Sequence, residues 1–289
     1  MVKYAFAIAN HTGAKAIILH ADSLDDFNFE ERVARKKVKL LLLSRKKKLD
    51  AKNASENSLL TLAKGQIILP KISLTRVSMM KVAATLAFAN EMLEPGGKIV
   101  FAVGDNKNLD LIQVVDTAKN SEIITGREIS KLPDAVSPEL FQSVLNLAIE
   151  LADKGREGKP IGTIFVLGDE DKVLQLSKQM ILNPFKGYDE EDRHILSSGI
   201  KETIREFSAL DGAFVIADNG TLLTAGRYLG AAIDESSLPR GLGSRHLAAA
   251  GITSLTKAVA FAISESSGDV RIFKEGKVIM HIEKAVSRN

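Results

Sequence analysis

Two short stretches place polar side chains where they could act together on an anionic substrate. Asp211-Gly212-Ala213 sets a carboxylate just ahead of Phe214-Val215-Ile216, so the acid would sit at the mouth of a strand. Gly241-Leu242-Gly243-Ser244-Arg245-His246 then opens a run continued by Ala248-Ala249-Ala250, a strong helix former. Free backbone N–H groups at a helix start, approached without Cβ obstruction, make an anion site. Ser244 would add a hydroxyl donor, Arg245 a guanidinium fork, and His246 a donor whose charge responds near neutral pH. Three phosphates would use all of them, so the combination reads as a site for a nucleoside triphosphate. It is not a Walker loop, since no Gly-Lys-Ser/Thr follows, nor a dinucleotide fingerprint, because His246 stands at the third glycine position.

Each piece also has a plainer reading. The Gly-rich loop suits an ordinary helix cap, with Arg245 on the surface and His246 in the core. Asp211 suits a cap on the preceding helix or turn, although a carboxylate there could hold a metal ion or orient a hydroxyl nucleophile. Gly212 would let a ribose or base lie against the backbone. Ser264-Glu265 follows an apolar run, where ligands often sit in α/β folds, and equally suits the start of a loop. His11, His20, His194 and His281 are scattered without metal-ligand spacing and read as structural.

The elements that must carry these residues can be read in order. Tyr4 to Gly13 suits a helix, followed by the short apolar runs 16–19, 38–43, 66–69 and 98–104, with helical periodicity from Ser73 to Leu93 between the last two. Short buried strands separated by helices predict βαβ units and a parallel sheet. The order and texture of roughly residues 1–125 resemble the C-terminal domain of pyruvate kinase, which implies a three-layer parallel α/β unit without catalytic residues. The polar stretch from Arg127 to Asp134, holding Pro133, marks a boundary. The expected division is a first domain over 1–126, a linker over 127–136, and a second domain over 137–289.

In the second domain Ser137-Pro138-Glu139 is a helix start, and Gly155 its stop. A strand over 162–168, a helix from Lys172 to Ile181 and a long helix reaching about Leu210 are expected next. Asn219-Gly220 is the strongest short turn signal in the chain and predicts a hairpin from Asp211 to Ala225. A helix from Ser244, a strand from Val259 to Ile263 and a hairpin of 270–273 with 278–282 complete a mixed sheet flanked by helices. The expected class is therefore α/β throughout.

Bulk composition bounds the function. The 289 residues suit two domains; 45% hydrophobic and 26% charged residues are those of a soluble globular chain. The absence of Cys excludes disulfides, Cys-ligated zinc and iron–sulfur clusters. No apolar run approaches the roughly 18–20 residues needed to span a bilayer, and the amphipathic first residues do not read as a signal peptide, so a cytoplasmic location is expected. Much of the +3 charge sits in the run Arg32, Arg35, Lys36, Lys37, Lys39, Arg45, Lys46, Lys47 and Lys48. Without interleaved aromatics it reads as a solvated rim, and no specific nucleic-acid partner is expected. The Gly104-Asp105-Asn106 turn after a strand is a candidate for a small ligand at the sheet's carboxyl edge, although such loops occur in every fold of this kind.

Asp211-Gly212-Ala213 together with Arg245-His246 resembles the paired signatures of the diadenylate cyclase family, which joins two ATP into cyclic di-AMP with release of two pyrophosphates. The likeness runs from about Ser137 onward and takes in Gly162-Thr163, Phe165-Val166-Leu167-Gly168-Asp169, Asn183-Pro184-Phe185, Ala225-Gly226 with Leu229, Gly243-Ser244 and Ser264-Glu265. Beside a pyruvate-kinase-like first domain it resembles the archaeal branch of that family. The resemblance implies that Asp211 orients or deprotonates the 3′-hydroxyl through Mg²⁺ or Mn²⁺. It implies that Ser244, Arg245 and His246 hold the triphosphate, that Ser264 and Glu265 complete the phosphate and metal side, and that Gly212 and Leu229 line the adenosine. The product's two-fold symmetry implies at least a face-to-face homodimer and leaves room for a larger homo-oligomer. The family signature is usually Arg-His-Arg, and Leu247 stands at its third position here, with Arg240 the candidate substitute. That departure leaves a sensor of ATP or cyclic di-AMP, weak or inactive in catalysis, as the alternative.

Overall fold

The computed structural model describes residues 1–24, 38–46, 49, 58–94, 96–105, 108–118, 136–231, 239 and 241–285. The chain divides into two compact units, Met1–Ser130 and Lys131–Asn289. Among the described residues no helix is long and apolar enough to cross a membrane. The basic residues at 32–37 and 47–48, the polar stretch 127–134 and Arg240 lie outside the described residues.

The first unit holds a five-stranded sheet in the order β3-β2-β1-β4-β5. Its strands are β1 (Ala16–His20), β2 (Lys39–Ser44), β3 (Gly65–Ile68), β4 (Lys98–Gly104) and β5 (Leu109–Asp116). β1 pairs in parallel with both β2 and β4, and every residue of it is buried, as a strand covered on both faces requires. Helix α1 (Val2–Thr12) ends on Gly13 in the left-handed region and packs Ala5, Phe6 and Ala9 against Ile17, Leu19, Leu40, Leu42, Val100 and Ala102. The short α2 (Leu59–Leu62) and α3 (Arg76–Ala89) are both capped by a hydroxyl, Ser58 and Thr75.

The sheet is not wholly parallel. β5 runs antiparallel to β4, which four connecting residues impose because a parallel return needs a long crossover. The described part of the basic run serves the unit itself. Lys39 Nζ donates to the Met92 carbonyl at 2.6 Å, and Arg45 Nε to that of Ile72 at 3.2 Å. At the carboxyl ends of β1, β2 and β4 the buried His20 meets the Ser23 hydroxyl and the Gly104 carbonyl. Beside it Asp22 accepts from Ser44 Oγ and the Arg45 amide. Asp105 closes this cluster, and Asn106 lies outside the described residues.

The second unit is built on a seven-stranded mixed sheet, β12-β11-β10-β6-β8-β9-β7. Its strands are β6 (Ile164–Leu167), β7 (Ser177–Gln179), β8 (Ala213–Ile216), β9 (Leu222–Leu229), β10 (Val259–Ile263), β11 (Val270–Lys274) and β12 (Lys277–Ile282). β6 and β8 run parallel, whereas β10 pairs antiparallel with β6 and β11, β12 with β11, and β9 with β7 and β8.

Alternation along these strands divides the core. Phe214, Phe165 and Phe261 lie side by side across β8, β6 and β10. Helix α4 (Pro138–Lys154) covers that face, with the Phe141 ring centred 5.3 Å from that of Phe261 and tilted 51° to it. Ser137 caps α4 through the Leu140 amide, and Pro138 occupies its first turn. The opposite face presents Val166, Val215, Ala213, Ala260 and Ala262 to helix α7 (Ser244–Leu255), which answers with Ala249, Ala250 and Ile252. Small residues on both surfaces let α7 lie close to the sheet.

Two expected helices are replaced by other structure. The helix expected from Lys172 to Ile181 stops as α5 (Glu170–Gln175), because Ser177–Gln179 pair with β9 as an edge strand. The long helix expected up to Leu210 shrinks to α6 (Ile200–Phe207). The segment before α6 is held by the hairpin instead: Ile195 N–H donates to the Gly220 carbonyl, Leu222 N–H to that of Arg193, and Arg193 to those of Tyr188 and Leu222. In both places tertiary hydrogen bonds supply what the helix would have supplied locally.

Candidate active site

The register of the second sheet brings the candidate residues to one edge. Ile164 lies opposite Ala213 on β8 and Ala262 on β10. One step outward the Ile263 amide donates to the Thr163 carbonyl at 2.9 Å, and beyond it stand Gly162, Asp211 and Ser264. β6 and β8 therefore present their amino ends here, while β9 and β10 present their carboxyl ends. The usual rule that ligands sit at carboxyl ends applies to only part of this sheet.

Arg245, in the first turn of α7, reaches between the two acids. Its Nη1 donates to Glu265 Oε2 at 3.0 Å, and Nη2 lies 3.6 Å from Asp211 Oδ1. The Asp211 side chain is 90% exposed, that of Glu265 58% and that of Arg245 34%. Exposed pairs of this kind contribute about 0–1 kcal/mol, so stability does not account for the arrangement. α7 starts on Gly243 without a side-chain cap; the His246 and Leu247 amides donate to the Gly243 carbonyl, and the Ser244 and Arg245 amides precede them at the open end of the helix. Ser244 is exposed beside them. Ser264 Oγ lies 3.2 Å from Ser266 Oγ and accepts from the Ser267 amide.

Two glycines make room for this geometry. A Cβ on Gly162 would lie 2.7 Å from Arg245 Nη1 and 3.0 Å from Glu265 Cβ, so Gly162 is the floor beneath the guanidinium. Gly212 has φ +104, and a Cβ there would lie 2.7 Å from the Arg227 amide nitrogen, beside the register shift between β8 and β9. The close neighbour of Gly212 is thus the chain's own backbone. Leu229 is buried in the apolar cluster beneath α7, so its side chain serves the core.

His246 departs from the expectation of a group titrating near neutrality. It is 5% exposed and packed against Phe273. Burial first, and then the nearby Arg271 guanidinium, lowers its pKa to about 4, so the ring is neutral at pH 7. Arg271 Nη1 lies 3.2 Å from His246 Nε2, and Nδ1 has no hydrogen-bond partner among the described residues. Leu247 packs against the same apolar cluster, so it offers nothing to a phosphate.

Asp269, Arg271 and His281 carry no motif signal and were reached only through the fold; His281 Nε2 meets Asp269 Oδ2 at 3.0 Å. Gly162 had a faint signal, a Gly-Thr pair just before an apolar strand. Divalent Mg²⁺ and Mn²⁺ take oxygen ligands from one or two carboxylates plus substrate phosphates and water. The exposed Asp211 carboxylate fits that role, and no cluster of three or more His, Asp or Glu residues forms a complete cage among the described residues.

With an acid, a guanidinium and an uncapped helix start converging, the edge is suited to a phosphorylated ligand. Residues 150–278 match the family DAC, described as DisA bacterial checkpoint controller nucleotide-binding. Residues 1–122 match a second family, described as Probable sensor domain DacZ_P. A Cryptosporidium parvum pyruvate kinase overlaps 39% of this chain and 21% of that one at a TM-score of 0.26 and 18% identity, too slight a likeness to decide the resemblance expected for the first domain. The diadenylate cyclase of Methanocaldococcus jannaschii is 40% identical over 200 residues, 68% of this chain and 63% of that protein. The diadenylate cyclase of Haloferax volcanii is 42% identical over 148 residues, 50% of this chain and 53% of that protein. The chain thus spans less than two thirds of either relative's length. A crystal structure of DacA from Staphylococcus aureus overlaps at a TM-score of 0.35 and 24% identity, covering 51% of this chain and 87% of that one, too slight a likeness to inform the site.

Proposed function

We propose that the chain is a diadenylate cyclase, condensing two ATP into cyclic di-AMP with release of two pyrophosphates. The observation that carries this reading is Arg245 held between Asp211 and Glu265 at the uncapped start of α7. The match of residues 150–278 to a nucleotide-binding family, and two relatives named diadenylate cyclase, support the same reaction.

In that reaction each 3′-hydroxyl oxygen bonds to the α-phosphorus of the other ATP, the bond to the β-phosphate bridging oxygen breaks, and the hydroxyl proton is lost. The protein's part is positioning and charge stabilisation. Asp211 orients the hydroxyl and accepts its proton or hands it to solvent. Arg245, Ser244 and the first amides of α7 hold the triphosphate, with Ser264 and Glu265 on its flank. Gly212 lets β9 pass close beside the backbone that carries Asp211. Mg²⁺ or Mn²⁺, held by Asp211 together with the phosphates, would neutralise phosphate charge. One chain offers one such site, so two chains must meet face to face, and a homodimer or larger homo-oligomer follows. We assign catalysis to residues 137–289 and a three-layer α/β sensor role to 1–126, in a cytoplasmic protein without a specific nucleic-acid partner.

Packing of Leu247 into the core favours one competing reading, a sensor that binds ATP or cyclic di-AMP without turnover. The test is incubation with ATP and Mn²⁺ followed by chromatography of the nucleotides. Cyclic di-AMP with matching pyrophosphate is the expected result; bound ATP without product would establish the sensor and refute the cyclase.

A further inference from the structure

His246 adjoins Arg245 in the first turn of α7, yet its ring is turned into the core, and what meets it there comes from distant sequence. Arg271 on β11 approaches Nε2 at 3.2 Å. A guanidinium only donates, so Nε2 is the acceptor and the single proton of the neutral ring rests on Nδ1. Arg271 is steered in turn. Its Nη2 lies 3.8 Å from Asp269 Oδ2, and the same oxygen meets His281 Nε2 at 3.0 Å.

Asp269 belongs to the turn that carries Ser264 and Glu265. The Ser264 amide donates to the Asp269 carbonyl at 2.9 Å, and the Gly268 amide to the Ser264 carbonyl at 3.0 Å. A continuous polar chain therefore runs from His281 on β12 through Asp269 and Arg271 to His246. It joins the two elements that flank Arg245, the start of α7 and the turn after β10.

We infer that Arg271 is a positioning residue for the nucleotide reaction, fixing His246 in its Nδ1-protonated form and locking the start of α7 to the Ser264–Asp269 turn. This rests on the cyclase reading. A bare packing role would be filled more simply by an apolar side chain, since a partly buried charged chain must be desolvated. The chain also leaves Nδ1 without a protein partner, an exception that buried polar atoms rarely show. Leu247 places no cation after His246 along the helix, and the guanidinium bonded to the ring is supplied across the sheet instead. A linked arrangement of this kind sets the position of Arg245 relative to Glu265, which bears on turnover more than on ATP affinity.

The experiment uses the full chain with ¹⁵N-labelled histidine, reading the His246 tautomer by long-range ¹H–¹⁵N spectra beside steady-state kinetics with ATP and Mn²⁺. The wild type should show neutral, Nδ1-protonated His246 at pH 7. Arg271→Gln should give a mixed or altered tautomer and lower kcat roughly tenfold or more with KM within about threefold. Arg271→Lys, which keeps a cationic donor, should restore the tautomer and much of kcat. If Arg271→Gln does not fold, Asp269→Asn removes the charge shared by Arg271 and His281 and should move both readings the same way. An unchanged tautomer, or an unchanged kcat, in whichever of these variants folds overturns the inference while the cyclase reading stands. Wild-type protein that makes no cyclic di-AMP overturns the cyclase reading and the positioning role together.

Discussion

Replacing Gly162 by alanine tests the site with a single methyl group. The new Cβ would lie 2.7 Å from Arg245 Nη1, 3.0 Å from Arg245 Cζ and 3.0 Å from Glu265 Cβ. Ordinary contact begins near 3.4 Å, so the guanidinium must retreat by about 0.7 Å, and its 3.0 Å bond to Glu265 is strained with it. The tip of an arginine one-third exposed moves easily, so stability should change by no more than about 1 kcal/mol. Catalysis is less forgiving. Misplacing a positioning group by about 1 Å can lower a rate on the order of a hundredfold, so kcat/KM should fall about 10- to 100-fold. That loss corresponds to about 1.4–2.7 kcal/mol of transition-state stabilisation. The assay is cyclic di-AMP formation from ATP with Mn²⁺, resolved by chromatography, beside a denaturation curve for each protein. Gly199→Ala is the control, since a Cβ there meets nothing within 4 Å. A folded Gly162→Ala protein with wild-type kcat/KM would refute the placement of Arg245 at the phosphates.

The other expected outcomes concern single groups. Asp211→Asn should reduce turnover at least a hundredfold while ATP binding by calorimetry stays near wild type, because the exposed carboxylate contributes little to the fold. Gly212→Ala puts a side chain at φ +104 against the Arg227 amide and should cost about 2–3 kcal/mol in urea denaturation. His246 is held to a pKa of about 4 in the folded chain, below its ordinary 6.5. The folded state thus binds fewer protons there than the unfolded chain. The associated stability is fully present above pH 6.5 and is lost as pH falls toward 4, up to about 3 kcal/mol. Denaturation midpoints across that range should flatten in His246→Gln; parallel curves for the two proteins would show that the buried imidazole is not responsible.

Much of this protein was legible from sequence because the signals are local. Gly13, Ser137-Pro138, Gly155 and Asn219-Gly220 punctuate the chain where the helices and the β8–β9 hairpin begin or end, since φ preference and capping depend on one or a few residues. Asp211, Ser244, Arg245 and Glu265 were marked by their types at element boundaries, and the fold brings them to one sheet edge. Elements decided by distant partners were not legible. Ser177–Gln179 became a strand because β9 lies beside it, and the segment before α6 gave up its helical hydrogen bonds to the hairpin. β5 turned back antiparallel through a connection too short for a crossover.

The same division holds within the site. Residue type and spacing determined which side chains could bind phosphate, because a helix start and its neighbouring residues are fixed by a few consecutive positions. Only the tertiary structure decided that Arg245 faces out between two carboxylates while His246, its neighbour, faces in. Successive residues on a helix point about 100° apart, so packing against Phe273 and Arg271 assigns one to the core and leaves the other at the surface. Burial, not composition, then sets the charge state of the imidazole, since a low-dielectric surrounding penalises its protonated form.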